Sequence, residues 1–426
     1  MIETAFTTLR SLARQMTRHK LVRNVGWLTG AELVSRVGRI FAAIILARQL
    51  DAVAFGIAAI ALTIFEIMRV FTENGIGAAV IRAKPDAFDR VANTAHRLMW
   101  LVCLFLCLIQ VGAGLVVEWV LPERNAGLMV ASLGLVFLIM PFGVMHAYCL
   151  QREERMKTLA KISTAQVATD HILTAILALL GYGAWAIVLP KILTAPIWLI
   201  GMLRSRAWAR NRAAGFAEVS GILKFSVPVL GSELMRACRD QLDKVIISMT
   251  LGVEALGIYY FAFNAGLGVS TALNHAFANA VYPHLCAARE KTEAFRKSVY
   301  QLGIPFALLY CLQAALALLY VPIVFGSTWL AAAPLVAVLC LGGPARLFVD
   351  TARMNARAQG QSGLDFQISA GFAVTVLIPF AVFSSHGLFV VAAISVAMAS
   401  IFALAATHFS LTKSPLKASS SLGVNA

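Results

Sequence analysis

Twelve apolar stretches, each about the length of a bilayer crossing, leave this chain little choice of fold. They fall at about 25–47, 53–73, 98–120, 127–149, 163–180, 184–203, 222–250, 255–286, 300–321, 328–349, 366–384 and 387–410. A spanning helix needs about 20 mostly apolar residues, because the hydrocarbon core is ~30 Å thick. Inside lipid every backbone polar group must be satisfied within its own segment or a closed barrel. Runs this long therefore predict an all-α polytopic membrane protein of about 12 transmembrane helices. Several runs exceed the minimum, which implies tilt or ends projecting from the bilayer. Composition agrees: 59% of the residues are hydrophobic and 13% charged, where a soluble domain carries about 25% charged residues.

The net charge of +15 raises the question of a nucleic-acid partner. Its distribution answers otherwise. Lys and Arg gather in the N-terminal tail, at 82–97, 151–161, 204–224, 289–297 and 346–357, and in the C-terminal tail. The alternate connections hold only Arg48 and Arg124. Such alternation orients a membrane protein with its basic loops inside. Both termini are therefore expected in the cytoplasm. The charge reads as a topology signal, and no nucleic-acid role is expected.

The opposite connections are short: "LDAVA", "LPERNAG", "GYGA", "TLGVE", "FGST" and "SHG". They leave no room for an external catalytic platform, which counts against a membrane enzyme of glycan assembly. The seven cysteines form no CxxC pair or Cys/His cluster, so neither a disulfide nor a metal is expected, and no cofactor is implied. Arg10, Arg14 and Arg18 interrupt any early apolar core of a cleavable leader. Residues 1–23 read either as a basic amphipathic surface helix or as a disordered tail.

An internal duplication organises the twelve runs. Shifted by 201 residues, 30–57 and 231–258 match without a gap at eight of 28 positions, among them Gly30/Gly231, Glu32/Glu233, Leu33/Leu234 and Gly56/Gly257. The copies begin at the first and seventh runs. An even spacing gives both the same orientation, as in parallel repeats about an axis along the membrane normal. The expected layout is a cytoplasmic basic tail (1–23), a six-helix lobe (24–203), a cytoplasmic basic linker (204–221), a second six-helix lobe (222–411) and a tail (412–426). Transporters so built commonly hold substrate between the lobes near the midplane.

Charges inside the runs mark the candidate site. Glu32, Arg36 and Arg39 share one helical face, as do Glu66, Arg69 and Glu73, and as do Glu233, Arg236, Asp240 and Asp243. Arg239, Lys191 and Asp170 also lie within runs, and Asn264, Thr271, His275 and Asn279 make a milder stripe. Several ionisable groups on one helix cannot all face lipid. They line a wet cavity or form structural ion pairs such as Glu32–Arg36 and Asp240–Lys244. Glu73 and Lys244, near run ends, could snorkel to the interface. Asp170 is the better proton-site candidate, and His171 reads as packing. Glu32, Glu233 and Asp240 are the other coupling-ion or proton candidates.

The stretches "NVGWLTGAELVSRVGRIFAAIILARQLDAVAFGIAAI", "FTENGIGAAVIR", "LQREERMKTLAKIS" before "GYGAWAIV", "DKVIISMTLGVEALGIYYFAFN" and "VFGSTWLAAAPL" resemble the polysaccharide-export and lipid-linked oligosaccharide flippases. These belong to the superfamily that also holds the multidrug and toxic-compound extruders. The resemblance implies a V-shaped pair of six-helix lobes and alternating access. It also implies a polyprenyl-diphosphate-linked sugar carried from the inner to the outer leaflet, by a monomer that could work beside a polysaccharide polymerase and export machinery. Arg36, Arg39, Arg69, Arg236, Arg239 and His275 are then the candidate cavity residues, the arginines gripping phosphate oxygens bidentately. One departure stands out: family cavities are cationic, yet the seven Lys/Arg and seven acids read as lying inside the runs cancel. The alternative on the same fold is a cation-coupled drug or metabolite exporter.

Overall fold

A computed structural model describes residues 38–73, 76–122, 125–205, 208–287, 290–359 and 361–412. These residues are helical apart from short connections, and the chain divides into two compact units, Met1–Gln241 and Leu242–Ala426. Among the described residues, ten helical segments are long and apolar enough to cross a membrane.

Unit 1 contains α1 (38–49), α2 (Ala52–Glu73), α3 (Ile76–Arg82), α4 (Phe88–Val120), α5 (Ala126–Ser132), α6 (Gly134–Arg152), α7 (Met156–Leu179) and α8 (Trp185–Ser205). Helix α4 shows the logic of a chain dissolved in lipid. Leu101, Leu104, Phe105, Leu108, Leu115 and Trp119 follow one helical face and are exposed, Trp119 by 85%. Its buried positions include Asn93, Thr94, Gln110 and Gly114. An apolar stripe turned outward over a partly polar inner face inverts the usual soluble arrangement and suits a hydrocarbon solvent.

Helices α4 and α5 meet backbone to backbone. A Cβ on Gly114 would come within 2.8 Å of the Ala131 Cβ, so only glycine permits the approach. The contact is fixed by two polar bonds. Buried Gln110 donates to the Val130 carbonyl at 3.0 Å, and the Glu118 carboxylate accepts from the Gly127 N–H at 2.8 Å, capping the first turn of α5. Arg152, at the end of α6, closes α3 instead. Its Nη1 lies 3.2, 2.9 and 2.6 Å from the carbonyls of Val80, Ile81 and Ala83, at a helix C-terminus where carbonyls run short of backbone donors.

The basic segment after α8 is tied down. Asn93 donates to the carbonyls of Asn211 and Gly215, both at 2.8 Å, and Thr94 accepts from Ala217 N at 2.9 Å. Asn211 reaches Asp89 at 2.7 Å. The guanidiniums of Arg97 and Arg210 each stack on the Phe216 ring, at 4.8 and 4.9 Å. Residues 208–217 therefore form a strap on the start of α4.

Helix α9 (Val219–Ala287) runs from unit 1 into unit 2 and contains a non-helical residue, Gly252, at φ 85° and ψ 177°. Such a backbone is open to glycine and strained for other residues. Asp243 and Tyr259 are 16 residues apart, about 24 Å along a straight helix. Their side chains are hydrogen-bonded at 2.6 Å. The two arms must fold back on one another at Gly252, within the short "TLGVE" connection. The segment 240–267, one of the ten apolar segments, contains this reversal.

Unit 2 continues with α10 (Lys291–Lys297), α11 (Ile304–Tyr320), α12 (Ala333–Ala358), α13 (Ser362–Val382) and α14 (Leu388–Thr412). Its core gathers Leu285, Phe295, Leu347, Phe372, Ala399 and Ala403. Residues 346–357, read from the sequence as a basic connection, are the second half of α12. Arg353 and Arg357 do sit beside the turn that follows, where both bind Asp365 of α13, at 2.9 and 2.6 Å. Arg346 lies near the middle of the helix.

Candidate functional site

Charges within the spanning helices meet in pairs. On α2, Arg69 binds Glu66 one turn earlier at 2.9 Å, and both remain more than a third exposed. Between α7 and α8, Lys191 Nζ lies 2.6 Å from Asp170 Oδ2. Asp170 is only 4% exposed, and His171 Nδ1 stands 3.9 Å from the same oxygen. The ring of His171 also packs on α1, where a Cβ at Gly38 would come within 3.1 Å of its Cδ2. Asp170 Oδ1 accepts no hydrogen bond. The result is a buried carboxylate held from one side by an ammonium.

Unit 2 has a denser cluster. Asp243 Oδ2 accepts from the Tyr259 hydroxyl at 2.6 Å, while Oδ1 accepts from the Lys244 backbone N–H at 2.8 Å and Nζ at 3.3 Å. Lys244 Nζ also sits 4.8 Å from the Phe263 ring centroid, and Arg346 stands 5.5 Å from the same centroid. Tyr259, Phe263 and Arg346 line a small cavity of ≈ 30 Å³ with Phe372, Phe380 and Ser395. That exceeds the ~10–15 Å³ that a single water needs.

One sequence expectation is corrected here. Lys244, read as able to snorkel to the interface, is 4% exposed and bound to Asp243. The reversal at Gly252 is the reason. It brings Tyr259 and Phe263 against Asp243 and Lys244, and the aromatic wall encloses the lysine that a helix end would have left wet. Asp240 and Glu233 are half-buried and engaged by other groups.

The remaining candidates are scattered. Arg39 is exposed on α1. Glu32 and Arg36 lie outside the described residues, as do the side chains of Glu73, Arg236, Arg239 and His275, whose backbones belong to α2 and α9. The structure thus brings Asp170 together with Lys191, and Arg69 with Glu66. Tyr259, Phe263 and Arg346 were not singled out from the sequence. Tyr259 and Phe263 are spaced i, i+4 in "GIYYFAFN", a signal that reads equally well as packing. Arg346 was absorbed into the count of basic connections.

Lipid-facing apolar stripes around buried ion pairs define an integral membrane protein with many helical crossings. Residues 45–334 match the family described as polysaccharide biosynthesis protein, and the chain belongs to that family. An uncharacterized membrane protein of the cps region in Klebsiella pneumoniae is 22% identical over 86% of this chain and 76% of its own length. The lipopolysaccharide biosynthesis protein WzxC of Escherichia coli is 21% identical over 76% of this chain and 67% of its own. The succinoglycan biosynthesis transport protein ExoT of Rhizobium meliloti is 24% identical over 75% and 66%. Among solved structures, the lipid II flippase MurJ in its inward closed conformation superposes with TM-score 0.66 at 15% identity, covering 92% of this chain and 88% of that one. An inward-facing multidrug resistance MATE transporter of the MOP superfamily gives 0.58 at 14%, covering 90% and 92%. At these identities the structural likeness bears on fold alone.

Proposed function

We propose that this protein is a flippase of surface-polysaccharide biosynthesis. It carries a polyprenyl-diphosphate-linked oligosaccharide from the inner to the outer leaflet of a bacterial inner membrane by alternating access. The carrying observation is the family match over 45–334, joined to relatives named for lipopolysaccharide biosynthesis and succinoglycan transport. In this reading twelve spans form two parallel six-helix lobes, with boundaries near 24–203 and 222–411, and both termini are cytoplasmic. No covalent chemistry is required of the protein. Its task is to give a charged, hydrated head group a polar route while the lipid tail stays in the bilayer, and ionisable groups inside spans are the usual means.

Arg36, Arg39, Arg69, Arg236, Arg239 and His275 are proposed to meet the head group. Glu32, Asp170, Glu233 and Asp240 are proposed as coupling-ion or proton sites. Of these, Asp170 has the best support, being buried with one oxygen bound by Lys191 and the other without a hydrogen bond.

The test is deletion of the gene, followed by mass spectrometry of lipid extracts. Accumulation of a polyprenyl-diphosphate glycan, with loss of the surface polymer, is the expected result. Unchanged lipids together with new sensitivity to cationic dyes would replace the flippase reading with that of a cation-coupled exporter. Arg36→Ala and Arg236→Ala are expected to abolish surface glycan while the protein remains in the membrane. Near-normal glycan in both variants would remove these arginines from the site.

A further inference from the structure

Arg346 is in an unusual position for a cation inside a spanning helix. It is half-buried near the middle of α12, and among the described residues it makes no hydrogen bond and no ion pair. Its close interactions are with the Phe263 ring at 5.5 Å and, electrostatically, with Tyr259. Three other cations near the middle of spanning helices have a carboxylate within 3.3 Å: Arg69 on Glu66, Lys191 on Asp170 and Lys244 on Asp243.

Among the described residues no acid neutralises it. Asp350, one turn along the same helix, is bound by Arg353 at 3.2 Å. Helices α11 and α14 contain no Asp or Glu. The single acid of α13, Asp365, is taken by Arg353 and Arg357. On the adjoining arm of α9, Asp243 is already shared by Lys244 and Tyr259, and Glu254 is exposed two residues past the break. Around the cavity one carboxylate faces two cations. An unbalanced positive charge in a low-dielectric setting is tolerated when an anion or water can reach it. The cavity lined by Arg346 supplies the opening, and Gly342, one turn earlier on the same helix, helps line it.

We propose that Arg346 and this cavity form an anion site in unit 2 that accepts the oxygens of a phosphate group. The guanidinium is suited to the task, because its planar fork matches two oxygens of one phosphate at once. The tyrosine hydroxyl and Ser395 do not compete as donors, since the former is bound to Asp243 and the latter donates to the Val376 carbonyl at 2.9 Å. A cavity of ≈ 30 Å³ admits the oxygens of one phosphoryl group and excludes a sugar ring. It therefore reads charge and leaves sugar identity unread. Phe263, shared between Lys244 and Arg346, holds both cations by its ring face while the anion is away.

The phosphate could belong to a polyprenyl diphosphate, in which case the inference rests on the flippase reading. It could equally belong to a bilayer phospholipid. Full-length protein in a neutral detergent would be titrated with undecaprenyl diphosphate and, separately, with phosphatidylglycerol. Binding is read by native mass spectrometry for wild type, Arg346→Gln and Arg346→Lys. The expected result is a loss of affinity of about tenfold or more in Arg346→Gln for one of the two lipids, and a smaller loss in Arg346→Lys, which keeps the charge without the fork. A loss confined to the diphosphate assigns the site to cargo, and a loss confined to phosphatidylglycerol assigns it to the bilayer. Unchanged binding of both by Arg346→Gln, in protein that melts like wild type, would overturn the site. That outcome is separable from failure of the flippase reading, which the deletion strain's lipids report without reference to Arg346.

Discussion

The Asp243 cluster makes a sharp energetic prediction, because its members are almost wholly buried. Asp243→Leu leaves Lys244, with its side chain 5% exposed, as a cation without its carboxylate. Removing one partner of a buried pair typically costs about 3–5 kcal/mol. The 3.3 Å contact is looser than an ideal charge-assisted bond, so the lower end applies. Tyr259, 3% exposed, also loses the acceptor for its hydroxyl, which adds about 1–3 kcal/mol. For a folding unit of roughly 200 residues, a combined loss of about 4–6 kcal/mol lowers the melting temperature by about 8–24 °C. The double variant Asp243→Leu/Lys244→Met removes both charges and should recover most of the pair's share, since apolar replacement of a buried pair is often neutral. Adding Tyr259→Phe removes the stranded hydroxyl and should recover most of the rest. Melting of the detergent-solubilised protein, followed by intrinsic fluorescence and by loss of the monodisperse peak, measures all three. If the double and triple variants melt as low as Asp243→Leu, compensation of Lys244 is not what Asp243 provides, and the reasoning fails.

Further outcomes follow from the same geometry. Lys191→Met is expected to destabilise less than Asp243→Leu, because Lys191 is 33% exposed, and adding Asp170→Asn to it should restore stability. A double-mutant cycle on melting temperature with no coupling would contradict the 2.6 Å pair. Gly114→Ala places a methyl 2.8 Å from the Ala131 Cβ and should cost about 1–3 kcal/mol by overpacking. A melting temperature equal to wild type would mean that α4 and α5 can separate freely. Asn93→Leu breaks two strap bonds, so limited trypsin digestion should cut near Arg210 and Arg212 several-fold faster than in wild type. An unchanged rate would show that the Phe216 stack holds the strap unaided.

The sequence carried the helices and their lipid-facing character because both follow from local composition. A run such as 98–120 can do little other than span, and α4 lies there. Hairpin reversal at Gly252 was also legible, since "TLGVE" interrupts two apolar runs. Side-chain partnership was harder to read. Spacing identified Asp240–Lys244 as an i, i+4 pair, and nothing local reveals that Tyr259 returns to claim Asp243 and enclose the lysine. Arg346 shows the opposite error. It stands in "LGGPARLF", at the edge of a polar stretch, and a rule that counts positive charge per connection cannot tell a residue in the last turn from one near the middle of α12.

That misplaced arginine also bears on the charge balance. Seven cations against seven acids inside the apolar runs gave no net field, which sat poorly with an anionic cargo. The described pairs remove Glu66 with Arg69, Asp170 with Lys191 and Asp243 with Lys244, leaving the balance where it was. The second half of α12 adds Arg346, Arg353 and Arg357 against Asp350 and against Asp365 of α13, which tips the balance positive by one. The duplication does not repeat the unit 2 pair. Within the matched stretch, at the 201-residue offset, Asp243 and Lys244 correspond to Ala42 and Ala43. In the proposed reading of two parallel repeats, the copies carry different polar centres, a paired acid with one unbonded oxygen in unit 1 and an uncompensated cation in unit 2. A device that must bind an anion and couple its movement to something else needs two unlike sites, and divergence after duplication supplies them on one scaffold. If unit 2 holds phosphate and unit 1 responds to a coupling cation, Arg346→Gln should weaken lipid binding without altering the pH dependence of transport. Asp170→Asn should do the reverse. Both effects arising from one variant would tie the two centres together and defeat this division of labour.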